Sequence, residues 1–370
     1  MSTALNSERS AILKQNRASR SERLLRAVRT PGGAVFVLLI GLLAAIMVLN
    51  PSFGEPSSFI RFVGRTAPIA IAAIGQYFVI VGGEFDLSMG SVVTMQVIVA
   101  GNLIGQDDAK VIPVLVLMIV LGAFVGLVNG LITTLLKVPS FIVTLGMMLA
   151  LLGLVLYWTG GAAQGNPAAS FRQIGRGGIQ DVPVLDIIPY PVIILTAVAV
   201  AAFILMRRPF GRMLIAVGDN PAAAALAGSS VWWVRTRAFM MSSLSATVAG
   251  ILLVGYAGVH PSVGRGYEFT AITAVVLGGV VLGGGRGWVL SAAAGAFALE
   301  SLFTLLNFMG VQATRSKEPS SSSLWPQRPG HGNASAKEPV PLPMTNSTSW
   351  PQPPRPPRAP NKEEKESDAQ

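Results

Sequence analysis

Glu84 and Asp86 lie two positions apart in Gly82-Gly83-Glu84-Phe85-Asp86-Leu87-Ser88-Met89-Gly90, an acidic stretch bracketed by glycine between two apolar runs. A carboxylate at the centre of a bilayer costs about 2.5–3.5 kcal/mol on insertion scales, so acids at that depth are functional or paired. Two readings stand: the acids line a polar cavity at a broken helix, or they form a plain acidic turn at the membrane surface. Ser88 in the same stretch, and Asn129 and Thr144 inside apolar runs, extend the list of candidate path residues. Asn129, Thr144, Glu300 and Asn307 are the weaker candidates, because polar groups between helices often only hydrogen-bond to one another.

Other chemistry is hard to build here. There is no cysteine, which removes disulfides, thiolate metal sites and cysteine nucleophiles. The two histidines, His260 and His331, are far apart, so a histidine-built metal site is not expected. No Gly-x-x-x-x-Gly-Lys-(Ser/Thr) loop occurs, so ATP is not bound by that route. Gly283-Gly284-Gly285-Arg286-Gly287 lies between two apolar runs and reads as a tight turn rather than a phosphate cradle. We therefore expect no catalytic residues, no metal and no cofactor in the chain itself.

The elements that position these groups are membrane helices. Of 370 residues, 51% are hydrophobic and 12% charged, against about 25% charged in a soluble domain. Apolar runs of spanning length cover about 33–49, 62–81, 89–104, 111–136, 141–158, 188–206, 238–257, 269–282 and 288–309. The fold class expected is all-α, a polytopic bundle of about nine spans. Within the fourth run Gly122, Gly126 and Gly130 share one helix face, the spacing that lets a neighbouring helix approach closely. Residues 159–187 read as a long loop.

The net charge of +10 is not spread as nucleic-acid binding would require, since the basic residues cluster at the ends of apolar runs. With the N-terminus inside, fourteen Lys/Arg fall on the cytoplasmic side and six outside, so the positive-inside bias favours that orientation. Residues 1–31 are then a basic cytoplasmic arm, and 32–311 the membrane domain. Twelve of the 25 prolines lie between Pro319 and Pro360, and this composition predicts a disordered tail over 312–370.

Residues 207–237 form a basic polar island between spans. Inside it, Gly218-Asp219-Asn220-Pro221 reads as a helix start, with Asn220 as N-cap and Pro221 at the first helical position. Ala222, Ala223 and Ala224 lead a short helix ending near Gly228. Two turns are not stable alone, so this helix needs a surface, either this chain's own loops or a partner. A faint internal echo links 74–90 with 272–287: each runs from an apolar helix into a double glycine, a glycine-bracketed turn and a new span.

Four stretches together carry a family resemblance. Residues 82–91 are similar to Gly-Gly-Ile-Asp-Leu-Ser-Val-Gly-Ser with one extra residue before the aspartate. Val138-Pro139-Ser140-Phe141-Ile142-Val143-Thr144-Leu145-Gly146-Met147 is the second, Phe210-Gly211-Arg212 through Gly218-Asp219-Asn220-Pro221 to Gly228 the third, and Gly266-Tyr267-Glu268 through Gly278-Gly279 to Gly287 the fourth. In this order, over about 35–311, they resemble permease subunits of bacterial ribose/xylose/galactose-type sugar ABC importers. The resemblance implies about ten spans in the inner (plasma) membrane, a second permease subunit, partner ATPase subunits that bind the ATP, and a sugar-binding protein. It makes Gly211, Gly218, Asp219, Asn220, Pro221, Ala222, Ala223, Ala224 and Gly228 the segment that couples to the ATPase, and makes the chain a non-enzyme. The sequence departs from the family after Gly310-Val311, where a final span is expected and a proline-rich stretch stands instead, as a frameshift or truncation would leave it. Branched-chain amino acid or nucleoside permeases share the architecture, and an ion-coupled transporter using Glu84 and Asp86 is the rival from another class.

Overall fold

A computed structural model describes residues 30–162 and 165–310. All but the last two residues of the expected basic arm, and the whole 312–370 stretch, lie outside the described residues. The helices in chain order are α1 (Pro31–Leu49), α2 (Pro56–Val81), α3 (Met89–Ile104), α4 (Val111–Leu135), α5 (Ser140–Thr159), α6 (Ala169–Arg176), α7 (Tyr190–Arg207), α8 (Pro209–Asp219), α9 (Pro221–Leu226), α10 (Val231–Ala257), α11 (Tyr267–Leu277) and α12 (Val289–Phe308). Between α6 and α7 a hairpin pairs β1 (Gly178–Val182) with β2 (Asp186–Pro189) antiparallel. The stretch read as a plain loop over 159–187 thus contains a helix and a hairpin. Asp181 and Asp186 there take positive φ, a conformation in which Asp is among the tolerated residues.

Seven of these helices are long and apolar enough to cross a membrane. The other two expected spans are shorter helices. α3, with 16 residues, is about 24 Å long, and α11, with 11, about 16 Å, against a hydrocarbon core of about 30 Å. Each adjoins a glycine-rich break, at 82–88 before α3 and at 278–288 after α11.

Which helices lie inside is decided by small residues rather than by hydrophobicity, because lipid is as apolar as a leucine core. α2 is buried at every residue from 66 to 81. Its Gly75 sits so close to α10 that a Cβ there would be 2.5 Å from Ser245 Cβ and 3.2 Å from Ser242 Cα. α10 is the other inner helix, and the glycine face of α4 packs on it as expected: added Cβ atoms on Gly126 and Gly130 would fall 2.6 Å from the Met240 and Thr236 Cα atoms. Outward, α4 exposes Val116, Ile119, Val120 and Phe124, side chains suited to lipid. We expect Gly126→Leu to destabilise the bundle by at least the ~1–3 kcal/mol of an overpacked core, read as a lowered melting temperature in detergent. Gly146→Leu, on a position with open space around it, should leave that temperature unchanged.

The internal echo is real at the level of the backbone. α2 ends with Gly82 near helical angles (φ −72°, ψ −2°) and Gly83 at φ +80°, and α11 ends with Gly278 (φ −66°, ψ 0°) and Gly279 at φ +78°. Both ends close the same two bonds: Glu84 N and Gly83 N donate to Val79 O and Ile80 O, and Val280 N and Gly279 N to Val275 O and Val276 O. This is the Schellman closure, which needs a left-handed residue that glycine adopts without strain.

Candidate functional site

The break at 82–88 is where the sequence motifs meet. Asp86 is fully buried and satisfied from two elements. Ser88 donates its N–H (2.9 Å) and hydroxyl (2.6 Å) to Oδ1, and Ser242 on α10 donates its hydroxyl to Oδ2 at 2.7 Å. Asn129 on α4 extends the network by donating Nδ2 to Ser88 Oγ at 2.9 Å. Three of the five path candidates, Asp86, Ser88 and Asn129, are therefore joined directly. For Asp86 the plain acidic turn is ruled out: this is an interior carboxylate at a broken helix.

Thr144 belongs to the same region through the backbone. Its hydroxyl reaches Ser140 O (2.8 Å) and Phe85 O (3.3 Å), and Phe85 N donates to Ser140 Oγ at 3.0 Å. The Val138-to-Met147 motif thus clamps the break with the first turn of α5. Glu84 points elsewhere: Oε1 pairs with Arg235 Nη1 at 2.6 Å, and Arg235 Nε donates to Gly82 O at 3.2 Å. Both side chains are mostly buried, at 13% and 21% exposure. Glu84 thereby ties the break to the first turns of α10.

Three residues that complete the site were not among the candidates. Ser140 stands in a quoted motif, and Arg235 in the basic island. Ser242 sits in a span that also carries Ser243, Ser245 and Thr247, and nothing local singles it out among them. Glu268 at the start of α11 is buried as well and packs on Gly90, where an added Cβ would overlap its carboxylate.

The 207–237 segment is more ordered than a polar island. Arg208 precedes a helix, α8, whose Phe210, Gly211, Leu214, Val217 and Gly218 are buried. Phe210 lies with its ring centroid 6.4 Å from that of Phe78 on α2. The Trp232-to-Arg237 stretch is the beginning of α10 rather than part of a loop. Between them α9 carries the expected caps. Asn220 Oδ1 accepts from Ala223 N at 3.0 Å, Pro221 opens the helix, and Gly228 at φ +84° closes it with bonds from Gly228 N to Ala225 O and Ser229 N to Ala224 O. Ala222, Ala223 and Ala225 are exposed, Ala224 is buried, and Leu226 is 92% exposed.

What joins α9 to the break is a glycine junction. Gly285 N donates to Val81 O, the last residue of α2, at 2.9 Å. A Cβ on Gly218 would overlap that carbonyl oxygen and lie 2.6 Å from Gly285 N; one on Gly284 would lie 2.9 Å from Gly83 Cα, and one on Gly285 2.7 Å from Asp219 Cα. Three segments far apart in sequence thus meet backbone to backbone directly before Asn220.

A family model described as branched-chain amino acid transport system / permease component matches residues 58–324. The chain belongs to this permease family. It is a multi-pass membrane permease, in keeping with its seven long apolar helices. Among its relatives, the ribose import permease of Haemophilus influenzae is 32% identical over 284 residues, covering 75% of this chain and 86% of the relative. That of Bacillus subtilis is 34% identical over 291 residues, covering 75% and 85%. An autoinducer 2 import system permease of an Enterobacter species is 32% identical over 276 residues, covering 74% and 78%. No solved structure matches the chain. In the permease, the break, the Asp86 network and the glycine junction all lie within the matched region.

Proposed function

We propose that this permease forms the path by which a monosaccharide is imported, driven by ATPase subunits that dock on α9. The observation that carries this is the mechanical continuity of the site. α9 projects small, exposed side chains and Leu226 outward, while its base is locked through Gly218 and Gly285 to the end of α2 and so to the buried Asp86 break. A push on α9 is delivered to the break between α2 and α3. Small side chains suit a helix that enters a partner's groove. The ribose and autoinducer 2 permeases that resemble it support an importer, and the ribose permeases support a sugar as cargo.

In this reading the N-terminus is cytoplasmic, as the Lys/Arg bias favours, and α9 faces the cytoplasm of a bacterial cell with the bundle in its inner membrane. A second permease subunit completes the path, a sugar-binding protein delivers the cargo, and ATP stays on the partner subunits, so the permease needs no cofactor of its own. Selectivity resides largely in the binding protein.

The test is uptake in proteoliposomes holding the permease with its ATPase and binding protein. ATP-dependent accumulation of labelled ribose, xylose or galactose is expected. Accumulation of leucine instead would move the cargo to amino acids, and uptake driven by an ion gradient alone would overturn the ATPase reading. Ala223→Trp, on the exposed face of α9, should reduce uptake at least tenfold while ATP hydrolysis continues and the melting temperature of the permease stays unchanged. Undiminished uptake in that variant removes the docking role of α9.

A further inference from the structure

Beside the ion pair of Glu84 and Arg235 the structure holds a cavity of about 620 Å³, walled by the break, the C-terminal turn of α4, the 137–139 turn and the segment from α9 into α10. That volume falls in the ~300–1,000 Å³ range of small-molecule sites. It is separate from the Asp86 network, since neither Asp86, Ser88, Asn129 nor Ser242 lines it.

Three features of the wall point to a ligand of one kind. Thr133 lines the cavity, is 6% exposed, and its hydroxyl has no hydrogen-bond partner among the described residues. Buried hydroxyls are ordinarily paired, so Thr133 keeps unused bonding capacity on the cavity wall. Glu84 and Arg235 place an acceptor and a donor 2.6 Å apart on the same wall, an arrangement that suits two neighbouring hydroxyls, one donating to the carboxylate and one accepting from the guanidinium. Trp232 contributes a large, half-exposed aromatic side chain, whose electron-rich face attracts the weakly positive C–H groups of a sugar ring. Glu84 is paired to Arg235, which leaves the lining the single positive charge of Lys137. A phosphate would face Glu84 as well as Lys137, whereas a neutral polyol can bond Thr133, Glu84 and Arg235 without opposing any of them.

We propose that this cavity is a low-affinity monosaccharide site on the α9 face, distinct from the Asp86 network, and that sugar bound there slows import. The slowing follows from the wall itself. Ala225 on α9, Ser229 three residues past its end, and Glu84 on the break line the same space, so a ligand bridging them opposes their relative movement. This second part rests on the importer reading given above, whereas the binding does not.

Binding is measured on the full-length permease in phosphatidylethanolamine/phosphatidylglycerol nanodiscs, titrating ribose, xylose and galactose, with inorganic phosphate as the competing class. Millimolar binding of at least one sugar is expected, weakened about tenfold or more in Thr133→Val and Trp232→Ala and largely kept in Trp232→Phe. The site is overturned if none of the three sugars binds, if both weakening variants bind as the parent does, or if phosphate displaces the sugar more strongly than sugar itself. In proteoliposomes with ATPase and binding protein, sugar loaded on the α9 side should reduce initial uptake at least twofold in the parent and leave Thr133→Val unaffected. Uptake indifferent to that sugar overturns the brake alone. Loss of ATP dependence overturns the importer reading and leaves the binding result standing.

Discussion

Gly218→Ala is expected to abolish coupled uptake. The added methyl cannot be placed without moving backbone, because it would overlap Val81 O and stand 2.6 Å from Gly285 N. Those two atoms form the 2.9 Å hydrogen bond that closes the junction, and no flexible side chain is available to yield. Separating them leaves a buried amide and carbonyl partly unpaired, at about 1–3 kcal/mol, on top of about 1–3 kcal/mol for overpacking. A loss of this size, about 2–6 kcal/mol in all, shifts the balance between docked and undocked arrangements of α8 and α9 by about 30-fold or more. ATP hydrolysis should therefore continue with uptake near background. The control is Gly283→Ala in the same turn, where an added methyl would meet only Val281 Cγ1 at 4.0 Å and uptake should be retained. Equal uptake in the two variants would show that the junction does not transmit motion.

The second large effect is expected at Asp86. Asp86→Ala removes the acceptor of three hydrogen bonds at a position with no exposure to solvent. It strands the Ser88 amide and the hydroxyls of Ser88 and Ser242, at about 1–3 kcal/mol for each group that finds no substitute. Asn129, which donates to Ser88 Oγ, loses its orientation with them. A deficit of several kcal/mol is a large share of the ~5–15 kcal/mol that holds a folded protein together. The variant should be recovered as little or no monodisperse permease by size exclusion in detergent. Asp86→Asn keeps the shape and one acceptor oxygen, and the Ser242 hydroxyl can turn to accept from the new amide. That variant should fold, and its uptake then reports on the carboxylate itself. If Asp86→Ala were as stable as the parent, the network would be incidental to the break.

Helix by helix, much of this was legible in the residues. α3 occupies 89–104 as its apolar run predicted, and α9 begins at a capping asparagine followed by proline because those local interactions need nothing from afar. The glycine face of α4 was readable from spacing alone. α8 was missed although Phe210, Leu214 and Val217 recur at helical spacing, since the basic residues around them suggested a loop. α10 begins at Val231 rather than 238, because Arg235, which looked like a loop charge, finds Glu84 and Gly82 across the fold. The end of α11 at Leu277 also had to be seen, as an apolar run does not say where its backbone is broken by a left-handed glycine.

By itself, the sequence determined that this is a polytopic helical permease, which segments are apolar, where the caps of α9 fall, and which four motifs belong together. The apolar segments and the caps of α9 follow from composition, period and local hydrogen bonding, whereas the permease reading and the grouping of the four motifs follow from the family resemblance. Only the tertiary structure decided that the four motifs meet at one break, that Asp86 is answered by Ser242 while Glu84 is answered by Arg235, and that α9 stands on Val81 through Gly218 and Gly285. The physical reason is that these are contacts between segments as much as 204 positions apart, made by backbone atoms and single polar side chains that no local pattern distinguishes. A glycine in a turn and a glycine that lets two main chains touch are the same letter until the chain is folded.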